Sequence, residues 1–224
     1  HAFGVITALT VQDSSNVARV IPVDPGLLRE QLDCLLSDCR PAVIKLGLIG
    51  NADQLPMILD AIRLCGVPVV CDPVLRAGGG RELVADDFAA RLVGDLFPQV
   101  AVLTPNAAEA RRLTPDALDL DACGYALLAA GCEHVLITGG DEASPGVINT
   151  HYHGTSSPTR YDWPRLPETF HGAGCTLASA IAARLARGET PDTAILDAQR
   201  WTQESLHRAI AVGHGRRIPG RFGR

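Results

Sequence analysis

AVIKLGLIGNADQLPMILDAIRLCGVPVVCDPV, residues 42–74, decides the fold. Its two ends, Ala42–Gly50 and Val67–Val74, are short and almost wholly apolar, as strands buried on both faces of a sheet are. Its middle, Asn51–Gly66, spaces apolar residues at helical intervals, opens on a capping residue and closes on glycine. Two such strands joined by a helix lie parallel, because the crossover carries the chain back to the same edge of the sheet.

The same alternation runs outward in both directions. Upstream, Gly4–Gln12 reads as a further strand buried on both faces. Asp24–Asp38 reads as a helix with Asp24 as its cap and Pro25 at its first position. Downstream come a helix around Asp87–Leu96, a strand at Val100–Asn106 and a short helix at Ala107–Leu113. A helix over Asp121–Ala130 and a strand at His134–Gly140 follow. Between Val147 and Trp163 two runs alternate loosely around Gly154, which suggests an antiparallel hairpin. Two long helices, Gly172–Arg187 and Asp192 to about Val212, close the order. The expected fold is α/β: one domain over residues 1–224, a central mainly parallel sheet with helices on both faces, and a small hairpin at one end.

Composition narrows the function. Among 224 residues the net charge is −5, with acids and bases interspersed, which excludes a nucleic-acid surface of clustered cations. Lys45 is the only lysine, so the other basic residues are arginines. No apolar run approaches the length of a membrane span. The seven cysteines form an odd set without a CxxC pair, a poor basis for a disulfide framework or a zinc site. A reducing cytoplasm suits them better. The histidines at 151, 153, 171 and 214 show no metal-ligand spacing, and His151 and His153 are expected to face solvent on the hairpin.

Polar residues cluster where the strands end, which is where open parallel sheets bind ligands. Gln12, Asp72, Asn106 and Thr138-Gly139-Gly140 all fall there. A carboxylate at such an end, Asp72, suits Mg²⁺ directly or through water, or serves as an Asx turn or helix cap. Asn106 and Glu109 stand three apart at a helix start. They suit a hydrated Mg²⁺, and equally a capping box. Gly172-Ala173-Gly174 leads into a helix with Cys175 in its first turn. Amides at that turn, helped by the helix dipole, would form an anion hole for a transferring phosphoryl group. A thiol in that field is expected to have a lowered pKa and to serve as a base. The competing reading is a glycine-rich connection with a buried cysteine.

The ordered set ITALTVQ, CDPV, LTPNAAEA, VLITGG, HGAGCTLASAIAARLARG and VGHG resembles the hydroxymethylpyrimidine (phosphate) kinases, which belong to the ribokinase-like superfamily. The likeness extends from Gly4 to Gly215. It implies a cytoplasmic, ATP- and Mg²⁺-dependent kinase of a small pyrimidine alcohol in thiamin biosynthesis, and a homodimer. It implies Cys175 as catalytic base and Gly172, Ala173 and Gly174 as the anion hole. Gln12 and Val74 would then meet the substrate, and Thr138, Gly139 and Gly140 the nucleotide. Asn106, Glu109 and Asp72 would meet the metal. Alternatives are a pyridoxal or pyridoxine kinase with the same fold, and a pyrimidine-binding sensor without turnover. Thr138 stands where the family usually has lysine, and Gly78-Gly79-Gly80 where it often has a Lys-Ser-Gly loop. The family also places a strand and a glycine-rich loop ahead of the first run, so a further segment is expected before His1.

Overall fold

The computed structural model describes residues 1–75 and 86–222. In chain order the elements are β1 (Ala8–Gln12), β2 (Val17–Pro22), α1 (Pro25–Asp38), β3 (Ile44–Leu46), α2 (Leu55–Cys65) and β4 (Val69–Cys71). Then come α3 (Asp86–Arg91), β5 (Val102–Leu103), α4 (Ala107–Leu113), α5 (Leu120–Ala129) and β6 (His134–Ile137). The order ends with β7 (Gly146–His153), β8 (Thr159–Pro164), α6 (Ala173–Leu185) and α7 (Pro191–His207). The loop Gly78-Gly79-Gly80 lies outside the described residues.

The central sheet has six strands in the order β3-β4-β5-β6-β7-β8. β3 to β6 run parallel, and β7 and β8 extend the sheet as an antiparallel pair. This is the expected mainly parallel sheet with a hairpin at one end. Side-chain alternation sorts the core into two layers. Val69, Cys71, Leu103, Val135 and Ile137 pack against α1 to α5 on one face. Val70, Val102 and Leu136 pack against Leu177, Ile181 and Ile195 of α6 and α7 on the other. Both faces are therefore covered. No helix of the described residues is long and apolar enough to cross a membrane.

Local chemistry sets several helix ends. Asp24 caps α1 through its side chain, which accepts from the Leu27 amide at 3.1 Å. Gly66 ends α2 at φ +59°, a left-handed conformation that glycine adopts without a Cβ penalty. Asn51 makes no side-chain cap bond, because a 3₁₀ turn, Ala52–Gln54, intervenes before α2. The last helix stops at His207 rather than Val212, since Ile210 leaves to pair with Ile218.

The first strand departs furthest from expectation. β1 does not join the central sheet. It pairs only with β2, Leu9 opposite Ile21 and Val11 opposite Arg19, in a separate two-stranded antiparallel sheet. Leu9 and Val11 are exposed rather than buried. The apolar run was read as two-faced burial, but its neighbour Val17–Pro22 carries the complementary strand, and the hairpin turn Asp13–Asn16 closes locally through Asp13 Oδ1, which accepts from Ser15 and Asn16.

Tyr152 shows how tightly the α5 face is packed. It is 1% exposed and its hydroxyl donates to Asp121 Oδ1 at 2.6 Å. A Cβ on Gly124 of α5 would stand 2.6 Å from its ring carbons. Elsewhere a Gly→Ala change inside a helix gains about 1 kcal/mol. Here overpacking, at about 1–3 kcal/mol, should win. Gly124→Ala is expected to lower the urea midpoint, while Gly94→Ala, which meets open space, should not. A Gly124→Ala protein at least as stable as the parent would contradict this packing.

Candidate active site

The carboxyl ends of β3, β4, β5 and β6 meet the amino end of α6, and most of the singled-out residues gather there. Asp72 follows β4 directly. Its amide bonds to Leu46 O at 3.0 Å, which pins the carboxylate beside β3. Asp72 is only 6% exposed, and Lys45 Nζ stands 3.7 Å from its Oδ2. That is an ion pair, too long for a hydrogen bond. Oδ2 has no hydrogen-bond partner among the described residues. A Cβ on Gly174 would lie 3.9 Å from Oδ1, so the carboxylate sits beneath the first turn of α6.

Cys175 joins this group from above. Its thiol lies close enough to the Asp72 carboxylate to feel its charge. The residue opens to solvent at the mouth of the site. The structure nevertheless overturns the expected low pKa. Desolvation, followed by the Asp72 carboxylate, pushes the thiol up to about 11, against the pull of Lys45 and Arg221. The helix dipole is worth about 1 kcal/mol or less, too little to offset desolvation by the surrounding atoms and the neighbouring carboxylate, although the residue itself stays open at the mouth. Burial likewise raises Asp72, opposed by Lys45 and by the thiol.

Gly172 caps α6 at φ +84°, a left-handed conformation that turns the chain into the helix. The Thr176 amide bonds back to Gly172 O at 3.0 Å. The amides of Ala173, Gly174 and Cys175 come before that bond and have no carbonyl within the helix. They are the donors an anion would meet. Arg221 lies over the same turn, with Nε donating to Thr176 Oγ1 at 3.0 Å.

Asn106 and Glu109 form the capping box of α4: Asn106 Oδ1 accepts from the Glu109 amide, and Glu109 Oε2 from the Asn106 amide. Glu109 Oε1 also accepts from the Leu75 amide at 3.3 Å. Glu109 is 5% exposed, and burial, helped by the Asp72 charge, pushes its carboxyl up to about 8. Two buried carboxylates, one raised by the other's charge and one with an unpartnered oxygen, are a donor set fitting a hard divalent cation such as Mg²⁺. The capping box does not compete with that fit, because each carboxylate oxygen has a second lone pair.

Beside this cluster opens a cleft of about 490 Å³, within the range of small-molecule sites. Asn106, Thr138, Gly140, Ala173 and Gly174 line it, together with Gln199 and Leu206 of α7. Gly139 faces the sheet instead. Its amide donates to Asn149 Oδ1 at 3.1 Å, and a Cβ there would meet Ile148 O. Val74 lies away from the cleft, in a small apolar recess with Gly47, Cys71 and Phe88. Gln12, on β1, places Oε1 3.1 Å from His171 Nε2, so the small sheet reaches the α6 turn.

Sequence reasoning missed two residues. Lys45 was noted only as the single lysine, although a cation inside an apolar strand demands a partner. Arg165 holds the loop after β6, donating to the carbonyls of Gly140, Glu142 and Ser144. No sequence signal marked it, because its partners are nearly all main chain, with the Ser144 hydroxyl the exception.

A family model described as phosphomethylpyrimidine kinase matches residues 1–219. The chain belongs to that family. The hydroxymethylpyrimidine/phosphomethylpyrimidine kinase of Escherichia coli (strain K12) is 34% identical over 227 residues, spanning 96% of this chain and 84% of the relative. Among solved structures, an ADP complex of Bacillus subtilis pyridoxal kinase matches with a TM-score of 0.86 at 26% identity, covering 97% of this chain and 85% of its own. The phosphomethylpyrimidine kinase of Clostridium difficile 630 matches with a TM-score of 0.78 at 25% identity, covering 92% and 87%. The fold is thus the ribokinase-like one that the motifs implied.

A base acts in the transition state more than in the ground state. A role for Cys175 as that base makes one prediction: Cys175→Ala lowers kcat by ~10²–10⁴ with nearly unchanged substrate Kd, measured by coupled assay and calorimetry. Retention of more than about a tenth of kcat would remove the base assignment.

Proposed function

We propose that the chain transfers the γ-phosphoryl group of ATP to the hydroxymethyl oxygen of 4-amino-5-hydroxymethyl-2-methylpyrimidine, and then to the monophosphate so formed. The observation that carries this reading is Cys175 above Asp72 at an open helix amino end, beside a cleft of about 490 Å³. Cys175 takes the proton of the attacking hydroxyl. Desolvation and the Asp72 charge hold the thiol up, and Lys45 and Arg221 only partly offset them, so the thiolate that takes the proton is the minor form at neutral pH. The amides of Ala173, Gly174 and Cys175 hold the equatorial oxygens of the transferring group, with Gly172 setting the turn that aims them. Asn106, Glu109 and Asp72 would hold Mg²⁺ and its waters. When bound, the ion neutralises charge on the nucleotide phosphates. Thr138 and Gly140 face the nucleotide, and Gly139 supports them from the sheet. Gln12 presents an amide, with donor and acceptor, to the edge of the aminopyrimidine. Val74 supports the substrate pocket from its recess. A cytoplasmic location accords with this use of ATP.

A pyridoxal kinase is the second reading, favoured by the structural match to the B. subtilis enzyme. ATP consumption measured with the pyrimidine alcohol, its monophosphate and pyridoxal separates the two. Turnover is expected to be fastest with the pyrimidines. A kcat/KM higher for pyridoxal would transfer the assignment.

A homodimer accompanies the proposal. Leu9, Val11 and Ile21 stand on one face of the small sheet, all exposed. Burying such a face against a second copy removes apolar surface from water. Sedimentation velocity should show a dimer that Leu9→Arg weakens. A parent protein that sediments as a monomer would refute this assembly.

A further inference from the structure

Three histidine rings stack where β6 begins and β7 ends, at the far end of these strands from the phosphoryl site. His134 opens β6, and its Cα pairs in register with His153 at the end of β7. His151 lies two residues before His153 and so shares its face. The ring centroids stand 5.0 to 5.4 Å apart. Neither residue of the HYH motif is simply a solvent-facing hairpin residue. His151 is 1% exposed and His153 only partly so. The α7 helix begins over this face, and Asp192 in its first turn reaches the rings. Asp192 Oδ1 is 3.7 Å from His151 Nδ1 and 3.8 Å from His153 Nε2.

We propose that His134, His153 and Asp192 bind a divalent transition-metal ion of the Zn²⁺ class, clamping the start of α7 to β6 and β7. One ring nitrogen from each histidine and a carboxylate oxygen already lie within 4.8 Å of one another. Tetrahedral Zn²⁺ with bonds of about 2.0–2.1 Å needs donors about 3.3 Å apart. Asp192, whose side chain is 59% exposed, has room to rotate onto the ion, and the two imidazoles must turn toward one another to close the set. Two imidazoles and one carboxylate match Zn²⁺, Co²⁺ or Ni²⁺, and not Mg²⁺, which takes oxygen donors. Three protein ligands leave a position for water. His151 stands behind the set as a positioning residue. Its Nε2 is 3.0 Å from His134 Nδ1, so one nitrogen of His134 is engaged and its ring orientation is fixed. Metal-ligating histidines commonly have a partner of this kind on their second nitrogen.

This site is separate from the phosphoryl site. His134 opens β6 and Thr138 follows its last residue, roughly 13 Å away at strand rise. Further along, α7 lines the cleft through Gln199, Thr202 and Leu206. A metal at its first turn therefore steadies a wall of the cleft without touching reacting groups.

The test uses the full chain without a polyhistidine tag. Zn²⁺ binding is followed by calorimetry, Co²⁺ binding by visible absorption, and thermal unfolding is recorded with and without Zn²⁺. The parent should bind one ion at this site and gain in Tm. His153→Gln and Asp192→Asn, both at accessible positions, should each weaken that ion by about tenfold or more and abolish the Tm gain. Both should keep the metal-free Tm and the Mg²⁺-ATP activity of the parent. Equal Zn²⁺ affinity in parent and variants, or a Co²⁺ spectrum unchanged by them, would place the ion elsewhere and overturn the proposal. So would the absence of stoichiometric uptake by the parent.

Discussion

The site depends on one buried carboxylate. Asp72 has almost no contact with water, and an isolated charge in such a place costs several kcal/mol. Lys45 is the cation that makes it tolerable, at 3.7 Å from Oδ2. The pair is possible only because β3 and β4 are parallel and in register, with Lys45 opposite Val70 and Leu46 opposite Cys71. On the layer below, Val70, Val102 and Leu136 seat α6 through Leu177 and Ile181. That packing brings Gly174 and Cys175 down onto Asp72. A cation, a carboxylate, a thiol and a row of free amides thus converge from two strands and one helix. None of them could be moved without disturbing an apolar layer.

The same constraint explains the electrostatics. Asp72 is near enough to the thiol to oppose its ionisation. It acts on Glu109 in the same direction. Acidic groups whose ionisation burial opposes are therefore gathered below the α6 turn, and the turn itself is positive. A nucleotide with its cation suits this arrangement better than either part alone.

Much of the fold was legible because its signals are local. Apolar runs four to eight residues long, Asp24 before Pro25, Gly66 after an amphipathic stretch and Asn106 three before Glu109 each act within a few residues. The resemblance added the grouping of Asp72, Asn106, Glu109 and Cys175, which the structure places at one end of the sheet. What could not be read depends on distance. Whether Gly4–Gln12 is covered depends on which strand it pairs with, and its exposed Leu9 looks the same as a buried one in sequence. The direction of the Cys175 shift depends on desolvation against a dipole, which no spacing encodes. Lys45 carried a usable signal, a lone charge in an apolar strand, but its partner lies across a crossover. His134 and His153 are joined only by strand register, and Asp192 only by the seating of α7.

The most direct test is a crystal structure of the protein with Mg²⁺, a non-hydrolysable ATP analogue and the pyrimidine alcohol. The account expects the terminal phosphate on the amides of Ala173, Gly174 and Cys175, with the hydroxymethyl oxygen within hydrogen-bond reach of Cys175 Sγ. A terminal phosphate bound elsewhere in the cleft, with Cys175 facing no substrate oxygen, would contradict it.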